Sequence, residues 1–310
     1  MLFRNLTIYR FPRSFADVLR ESIAAPWDSS LDYQLAQCHA NPCGSLEMRA
    51  RGWVSPYGAD SEAMFQQSGD CILLTLGGED KILPPSAVKE ALRKRVAELE
   101  ANYGRRLSGK DRKRIKEDMI HEMLPRALVK PYRLSGYIDL ENCFLAVDTS
   151  SRKAAEEFVS QLRHALGSFP AVPLSADVEP HLVLTGWVDG NPPPDLLSLG
   201  DECGLRDASG SGAVVKFRGV NVPSAEVSEH LRNWMVAHRL ALTVGDRLSF
   251  VLGDDLTVRK LKFLEGALDT LDGDREDLRA ELDARFALMA GEVGALFRTL
   301  DGAFRFHEVH

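Results

Sequence analysis

The sequence lacks long hydrophobic runs and has few cysteines. No stretch reaches 18 apolar residues, which predicts that no helix crosses a membrane. The N-terminal apolar residues are interrupted by Arg4, Asn5 and Arg10, and no small-residue cleavage site follows, so we expect no secretory signal. Five cysteines, an odd and scattered number in 310 residues, predict reduced thiols in a cytoplasmic protein.

The common catalytic and metal-binding motifs are also missing. The chain has no GxxxxGK[ST] phosphate loop and no GxSxG, HExxH or CxxC pattern. Residues 209–212 are rich in glycine, but they lack the spacing of a dinucleotide-binding loop. Cys38, His39 and Cys43 have no fourth ligand at a suitable spacing. We therefore predict neither a bound metal nor a cofactor.

Apolar periodicity and capping residues predict two consecutive helices in the first half of the chain. Val88, Leu92 and Val96 recur at helical spacing, which predicts a helix over 86–103 with Ser86 as its N-cap. A second helix is expected to begin at Ser108, with Asp111 completing a capping box, and to end at Pro125.

The remaining pattern favours strands joined by hairpins and helices in separate blocks, which indicates an α+β fold with antiparallel sheets. The helix over 224–238 is expected to bury Val227, Leu231 and Trp234, and residues 188–212 are the richest in loop-forming types. We predict a hairpin over 137–147, strands over 213–220, 240–244, 248–252 and 256–263, and helices over 152–166, 224–238 and 275–300.

The uneven distribution of charge is the main chemical signal. The whole chain has a net charge of -7, yet residues 89–116 hold eleven basic and only four acidic side chains, a local net charge of +7. Such a concentration attracts polyanions even on an acidic protein, and a nucleic-acid backbone is the candidate ligand. The eleven are Lys89, Arg93, Lys94, Arg95, Arg105, Arg106, Lys110, Arg112, Lys113, Arg114 and Lys116.

These charges also fit a solvated helix pair that uses them for solubility and for i,i+4 pairing. A smaller basic group lies on the predicted strand over 213–220, where Lys216 and Arg218 share one sheet face. Arg259, Lys260 and Lys262 form a third group. An ordinary exposed strand face explains either of these groups equally well.

Several long strings resemble the RdgC family of bacterial DNA-binding proteins, colinearly over nearly the whole chain. The matching strings are NLTIYRF, PCGSLEM, GWVSPYG, EDKILP, MLPRA, YIDLEN, LGSFPAVPLS, RKLKF and DREDLRAELDARFALMAGEV.

The resemblance implies a curved multi-domain subunit that forms a ring-shaped homodimer in the cytoplasm, associated with the nucleoid. It implies a non-enzymatic protein that encircles double-stranded DNA without sequence preference, binds single strands more weakly and restrains RecA-mediated homologous recombination. We expect three domains: a central α+β domain (1–78 with 130–178), a helical basic and dimerisation domain (79–129 with 264–310), and a β-rich tip domain (179–263).

The resemblance and the basic cluster together give a set of candidate residues. Leu128 stands at an expected subunit contact where some relatives have Phe, and it can still bury apolar area there. In the segment after Arg218, Gly219 and Val220 replace a basic and a polar residue of the relatives. The candidate DNA contacts are Lys81, Lys89, Arg93, Arg105, Arg106, Lys110, Arg112, Lys113, Arg114, Arg126, Lys216 and Arg218.

Two other functions remain open from the residues. Asp70, Glu79 and Lys81 loosely resemble the D…ExK arrangement of a nuclease that depends on a divalent metal. Alternatively, the basic segment could contact an acidic protein partner, such as the acidic C-terminal block of another subunit.

Overall fold

The structure is a computed structural model that describes residues 2–220, 222, 224–271 and 277–309. Within these residues it contains nine α-helices and two antiparallel sheets, which confirms the predicted α+β class. The helices are α1 (Arg13–Ala24), α2 (Leu31–Gln37), α3 (Pro85–Tyr103), α4 (Gly109–Met123), α5 (Arg152–Leu166), α6 (Pro180–Val188), α7 (Ala225–Arg232), α8 (Glu265–Leu268) and α9 (Leu278–Phe304).

One sheet has seven strands in the order β2-β4-β5-β6-β1-β7, with β3 paired to β4, and the other has five in the order β12-β11-β10-β8-β9. The strands are β1 (Thr7–Arg10), β2 (Arg49–Val54), β3 (Phe65–Ser68), β4 (Cys71–Ile82), β5 (Leu128–Asp139), β6 (Phe144–Val147), β7 (Val172–Pro173), β8 (Leu197–Asp207), β9 (Val214–Arg218), β10 (Met235–Val244), β11 (Leu248–Gly253) and β12 (Val258–Phe263).

The chain divides into two compact units. Unit 1 comprises Met1–Gln37, Ser55–Thr75 and Leu134–His310, and unit 2 comprises Cys38–Val54 and Leu76–Arg133. The five-stranded sheet and α9 belong to unit 1, whereas α3 and α4 belong to unit 2. The three-domain division expected from the sequence stays a prediction.

An aromatic cluster forms part of the core of unit 1. The ring of Phe144 stacks on that of Phe297, with centroids 4.5 Å apart, and meets the edge of Tyr137 at 5.6 Å. Phe286 packs against Tyr137 from α9 at 6.0 Å. All four side chains are buried, so the predicted hairpin of β5 and β6 is fixed against the long C-terminal helix. The predicted start of that helix, Arg275, lies outside the described residues.

The predicted helix over 224–238 is wrong in its second half. Helix α7 ends at Arg232, and β10 begins at Met235. Met235, Ala237 and Leu240 are buried against the core, so pairing with β8 decides the local structure rather than helical periodicity. Trp234, expected to point inward, lies between the two elements with 81% of its surface exposed.

The five cysteines are free thiols. Cys143 and Cys203 are buried, and Cys71 is half-buried at the start of β4. Burial raises the pKa of Cys71 and of Cys203 to about 12. Cys203 lies on β8, which the structure places inside the segment that the sequence had marked as rich in loops. No helix of the described ranges is both long and apolar enough to span a bilayer.

Candidate nucleic-acid interface

The basic segment forms a helical hairpin in unit 2, made of α3, a short link and α4. Pro85 occupies the first turn of α3, where its fixed φ suits a helix, so the predicted N-cap at Ser86 is wrong and Ser86 lies inside the helix. Gly104 ends α3 in the left-handed conformation, with φ of 62°. The predicted capping box is confirmed, because Ser108 accepts from the Asp111 amide and Asp111 from the Ser108 amide.

Glu100 ties the link and the second helix to the first. Its Oε1 accepts hydrogen bonds from the Leu107 backbone amide and from Nη2 of Arg112, each at 2.9 Å. The Leu107 hydrogen bond and then the Arg112 side chain lower the pKa of the Glu100 carboxyl. The pKa of Asp111 is also lowered, chiefly by its hydrogen bonds with the Ser108 side chain and amide. The ionised carboxylates of Glu100 and Asp111 therefore stabilise the turn of the hairpin.

The ionised carboxylates give the hairpin a specific pH response. A group with a lowered pKa stabilises the folded state fully above its ordinary pKa and loses that effect as pH falls through the lowered value. We expect the urea midpoint of α3–α4 unfolding to fall as pH decreases below about 4. The double variant Glu100→Gln/Asp111→Asn should flatten that decline in circular dichroism titrations at pH 5 and pH 2.5. An unchanged slope in this variant would contradict the assigned role of the two carboxylates.

All eleven basic side chains of residues 89–116 are exposed, but they differ in their partners. Arg93 and Lys94 pair with Glu90, Arg95 pairs with Glu98, and Arg112 pairs with Glu100. The other seven make no ion pair with any residue in the described ranges. We call these seven the cation surface: Lys89, Arg105, Arg106, Lys110, Lys113, Arg114 and Lys116.

Most of the cation surface lies on the link and α4. Lys110, Lys113 and Arg114 follow the i, i+3, i+4 spacing, so their side chains share one face of that helix. Exposed cations that form no ion pair contribute a positive local potential, whereas the ion pairs of α3 cancel much of the charge of their cations. The residue count assigned the excess positive charge to all of residues 89–116. The structure shows that most of the cations without an ion pair lie on the link and α4.

Lys81 has a different environment from the other candidates. It is buried in unit 2, and its Nζ donates to the backbone carbonyls of Gly44 at 2.5 Å and Ser45 at 2.6 Å. The ammonium group therefore holds a loop of its own unit. Arg126, at the end of the short 3₁₀ turn Leu124–Arg126, is exposed, and 77% of the Leu128 surface is exposed on β5.

Lys216 and Arg218 lie in unit 1 and not on the hairpin. Both are exposed on β9, with buried Phe217 between them, so they occupy the outer face of the five-stranded sheet as their spacing predicts. Lys216 lies opposite Gly204 and Arg218 opposite Glu202 on β8. In the third basic group, Arg259 pairs with Asp255 and Lys260 with Glu202, which leaves these two cations compensated.

The residues of the nuclease alternative each have a partner within their own unit. Nη2 of Arg20 donates to Asp70 at 3.2 Å in unit 1, and the Cys43 amide donates to Glu79 at 2.8 Å in unit 2. Lys81 is held by the two carbonyls named above. No group of three or more His, Cys, Asp or Glu side chains in the described part of the chain could hold a metal ion. The nuclease alternative is therefore not favoured.

These observations define an α+β protein with uncompensated positive charge on one helical hairpin. The family model described as "Putative exonuclease, RdgC" matches residues 1–307. The chain is 48% identical over 307 residues to the Recombination-associated protein RdgC of Xanthomonas campestris pv. campestris (strain B100), with 98% of each chain covered. It is 46% identical over 303 residues to the protein of that name from Xylella fastidiosa (strain 9a5c), with 97% of each covered.

The chain belongs to the RdgC family, as its sequence strings predicted. The names of these relatives associate them with recombination, whereas the description of the family model refers to an exonuclease. The described residues give no positive support for catalysis, because they contain no metal-ligand cluster and the D…ExK candidates are engaged elsewhere.

Proposed function

We propose that this protein binds double-stranded DNA without sequence preference, by neutralising backbone phosphates with the cation surface. The observation that carries the proposal is the set of seven exposed cations that have no ion-pair partner in the described ranges, on the hairpin of a chain with net charge -7. Phosphate contacts of this kind supply affinity and carry no base information. Single strands have a lower density of phosphate charge, so we expect them to bind more weakly.

The proposed DNA contacts comprise the cation surface and several cations outside it. Arg93 and Arg112 belong to it if phosphate replaces their carboxylate partners, and Lys81 is left out because its ammonium group is already bound. Arg126, Lys216 and Arg218 are exposed and make no ion pair with a described residue, so each remains a candidate.

Occupation of the duplex explains how such a protein restrains recombination. A non-specific binder that covers DNA competes with the RecA recombinase for the same sites, which fits the recombination-associated names of the relatives. We propose a homodimer that closes around the duplex, since a two-fold axis presents every cation surface twice. Exposed Leu128 and Val129 supply apolar area for a subunit contact. The protein acts without catalysis, in the cytoplasm on nucleoid DNA.

The salt dependence of binding tests this proposal. If about six phosphates are neutralised, the logarithm of the association constant should fall against the logarithm of salt concentration with a slope near -5. Filter binding at several salt concentrations, with unrelated duplexes of equal length, measures both this slope and any preference. A flat salt response, or one strongly preferred sequence, would contradict the proposal. No gel shift at low salt would instead favour the acidic protein partner.

A further inference from the structure

Trp234 is a large aromatic side chain with little contact to the rest of unit 1. It has 81% of its surface exposed, more than the other three tryptophans: Trp27 is 62% exposed, and Trp53 and Trp187 are buried. Trp27 still has an aromatic neighbour, because its ring meets that of Tyr33 at 6.0 Å. No ring contact of Trp234 with a described residue occurs. The indole is therefore available to a ligand on most of its surface.

The backbone of Trp234 is fixed although its side chain is free. The residue adopts a φ of 62°, in the left-handed region that residues other than glycine rarely occupy. Its amide donates to the Leu231 carbonyl at 3.2 Å, and its own carbonyl accepts from the Ala208 amide at 3.1 Å. These hydrogen bonds hold the turn between α7 and β10 on both sides. The structure thus maintains an unfavourable conformation that displays the indole, and such outliers cluster at ligand sites.

Unit 1 has one free cation beside this turn and two more on the adjoining sheet. Arg232, two residues before Trp234, is exposed and makes no ion pair with a described residue. On the outer face of the sheet, Arg239 and Lys216 both lie directly opposite Gly204, and both are exposed without such a pair. An added Cβ at Gly204 would come within 2.8 Å of Nε2 of His238, so a larger residue there would require the imidazole to move. Lys216 and Arg239 therefore place two free cations on neighbouring strands of this sheet, in addition to Arg232 beside the indole.

We propose that Trp234 stacks on an unpaired base of single-stranded DNA while Arg232, Lys216 and Arg239 contact the phosphates of the same strand. An exposed ring beside a cationic track is the combination that single-strand binders use, because every base offers a π-face and every linkage a phosphate. A paired base inside a duplex has no free face for such stacking. This inference rests on the proposed DNA-binding function and adds a site for strand ends or melted segments.

Oligonucleotide titrations with Trp234 variants of the full chain test the inference. We expect Trp234→Asn to weaken binding of a labelled dT20 strand about tenfold, while affinity for a 20-base-pair duplex changes less than twofold. Asn tolerates a positive φ, so this variant retains the backbone turn. Trp234→Phe should keep most of the dT20 affinity. Addition of dT20 should quench tryptophan fluorescence in the wild type and not in Trp234→Phe.

Trp27→Phe is the matched control, because it also removes an exposed indole of unit 1 and should leave both affinities and the quenching unchanged. Unaltered dT20 affinity in Trp234→Asn, with duplex binding intact, would overturn the inference and leave the proposed function standing. Equal losses for strand and duplex would also overturn it, as would a smaller oligomer in light scattering, which would assign Trp234 to a subunit contact. If the wild type bound neither ligand, the proposed function would fail as well.

Discussion

Replacing Lys110, Lys113 and Arg114 together by alanine is expected to weaken duplex binding about 100-fold at 0.1 M salt. The three cations share one face of α4 and have no ion-pair partner among the described residues, so each is free to neutralise a phosphate. Loss of three contacts should also reduce the magnitude of the salt slope by about three. Filter binding with several unrelated duplexes measures both effects, and every sequence should lose affinity to the same extent.

A charge-matched control separates this local effect from a change in net charge. Arg13, Arg152 and Lys153 are exposed at the first turns of α1 and α5 in unit 1, and none makes an ion pair with a described residue. Their triple alanine variant removes the same charge, and we expect a loss below threefold. Equal losses in the two variants would show that the total charge, and not the hairpin, determines binding. A loss for one sequence only would contradict contacts limited to the backbone.

Truncation of Phe144 is expected to produce the largest loss of stability. The side chain is fully buried, stacks on Phe297 at 4.5 Å and meets Tyr137 at 5.6 Å. Phe144→Ala removes these contacts and leaves a cavity between β6 and α9, so the free energy of unfolding of unit 1 should fall by about 4 kcal/mol. Urea denaturation followed by far-ultraviolet circular dichroism measures this change.

Tyr137→Phe is the control within the same cluster. The Tyr137 hydroxyl is buried without a hydrogen-bond partner among the described residues, and burial raises its pKa well above the ordinary value. Its removal therefore eliminates a desolvated polar group and keeps the ring, so stability should stay constant or rise. A loss above about 1 kcal/mol in Tyr137→Phe would show that the hydroxyl has a partner, and a loss below about 1 kcal/mol in Phe144→Ala would contradict the packing described.

Local signals predicted several elements at the level of single residues. Ser108 and Asp111 form the predicted capping box, and α5 covers Arg152–Leu166, the range predicted for this helix. Strands β5 and β6 form the hairpin predicted over 137–147, with Tyr137 opposite Ala146 and Asp139 opposite Phe144. These features depend on residues within a few positions of one another, so the sequence alone contains the determining interactions.

Features determined by distant partners were less predictable. The burial pattern of Met235 and Ala237 follows from pairing with β8, about thirty residues away, and this pairing overrides the helical interpretation of 233–238. Lys81 belongs to a family string, yet its ammonium group binds the carbonyls of Gly44 and Ser45. Contacts of this kind have no local pattern that reveals them.

The sequence predicted where the candidate interface lies, but not which of its cations form ion pairs and which are free. Counting residues located the excess of positive charge in 89–116, and the structure separates the cations paired with Glu90, Glu98 and Glu100 from the seven that are unpaired. The pairs Glu90–Arg93 and Arg95–Glu98 follow the i,i+3 spacing within α3, so the sequence spacing is sufficient to predict them. The contact between Glu100 and Arg112 depends on how the helices fold back, which the spacing does not specify.

The raised pKa values of the cysteines make two of them reporters of local opening. With a pKa of about 12, only about one thiol in 10⁵ is a thiolate at neutral pH, and the thiolate is the form that alkylating reagents attack. Cys203 lies in the five-stranded sheet and Cys71 at the start of β4. The rates at which a maleimide labels Cys71 and Cys203 therefore measure how often each strand opens to solvent. The two thiols thus report local opening at two places in unit 1.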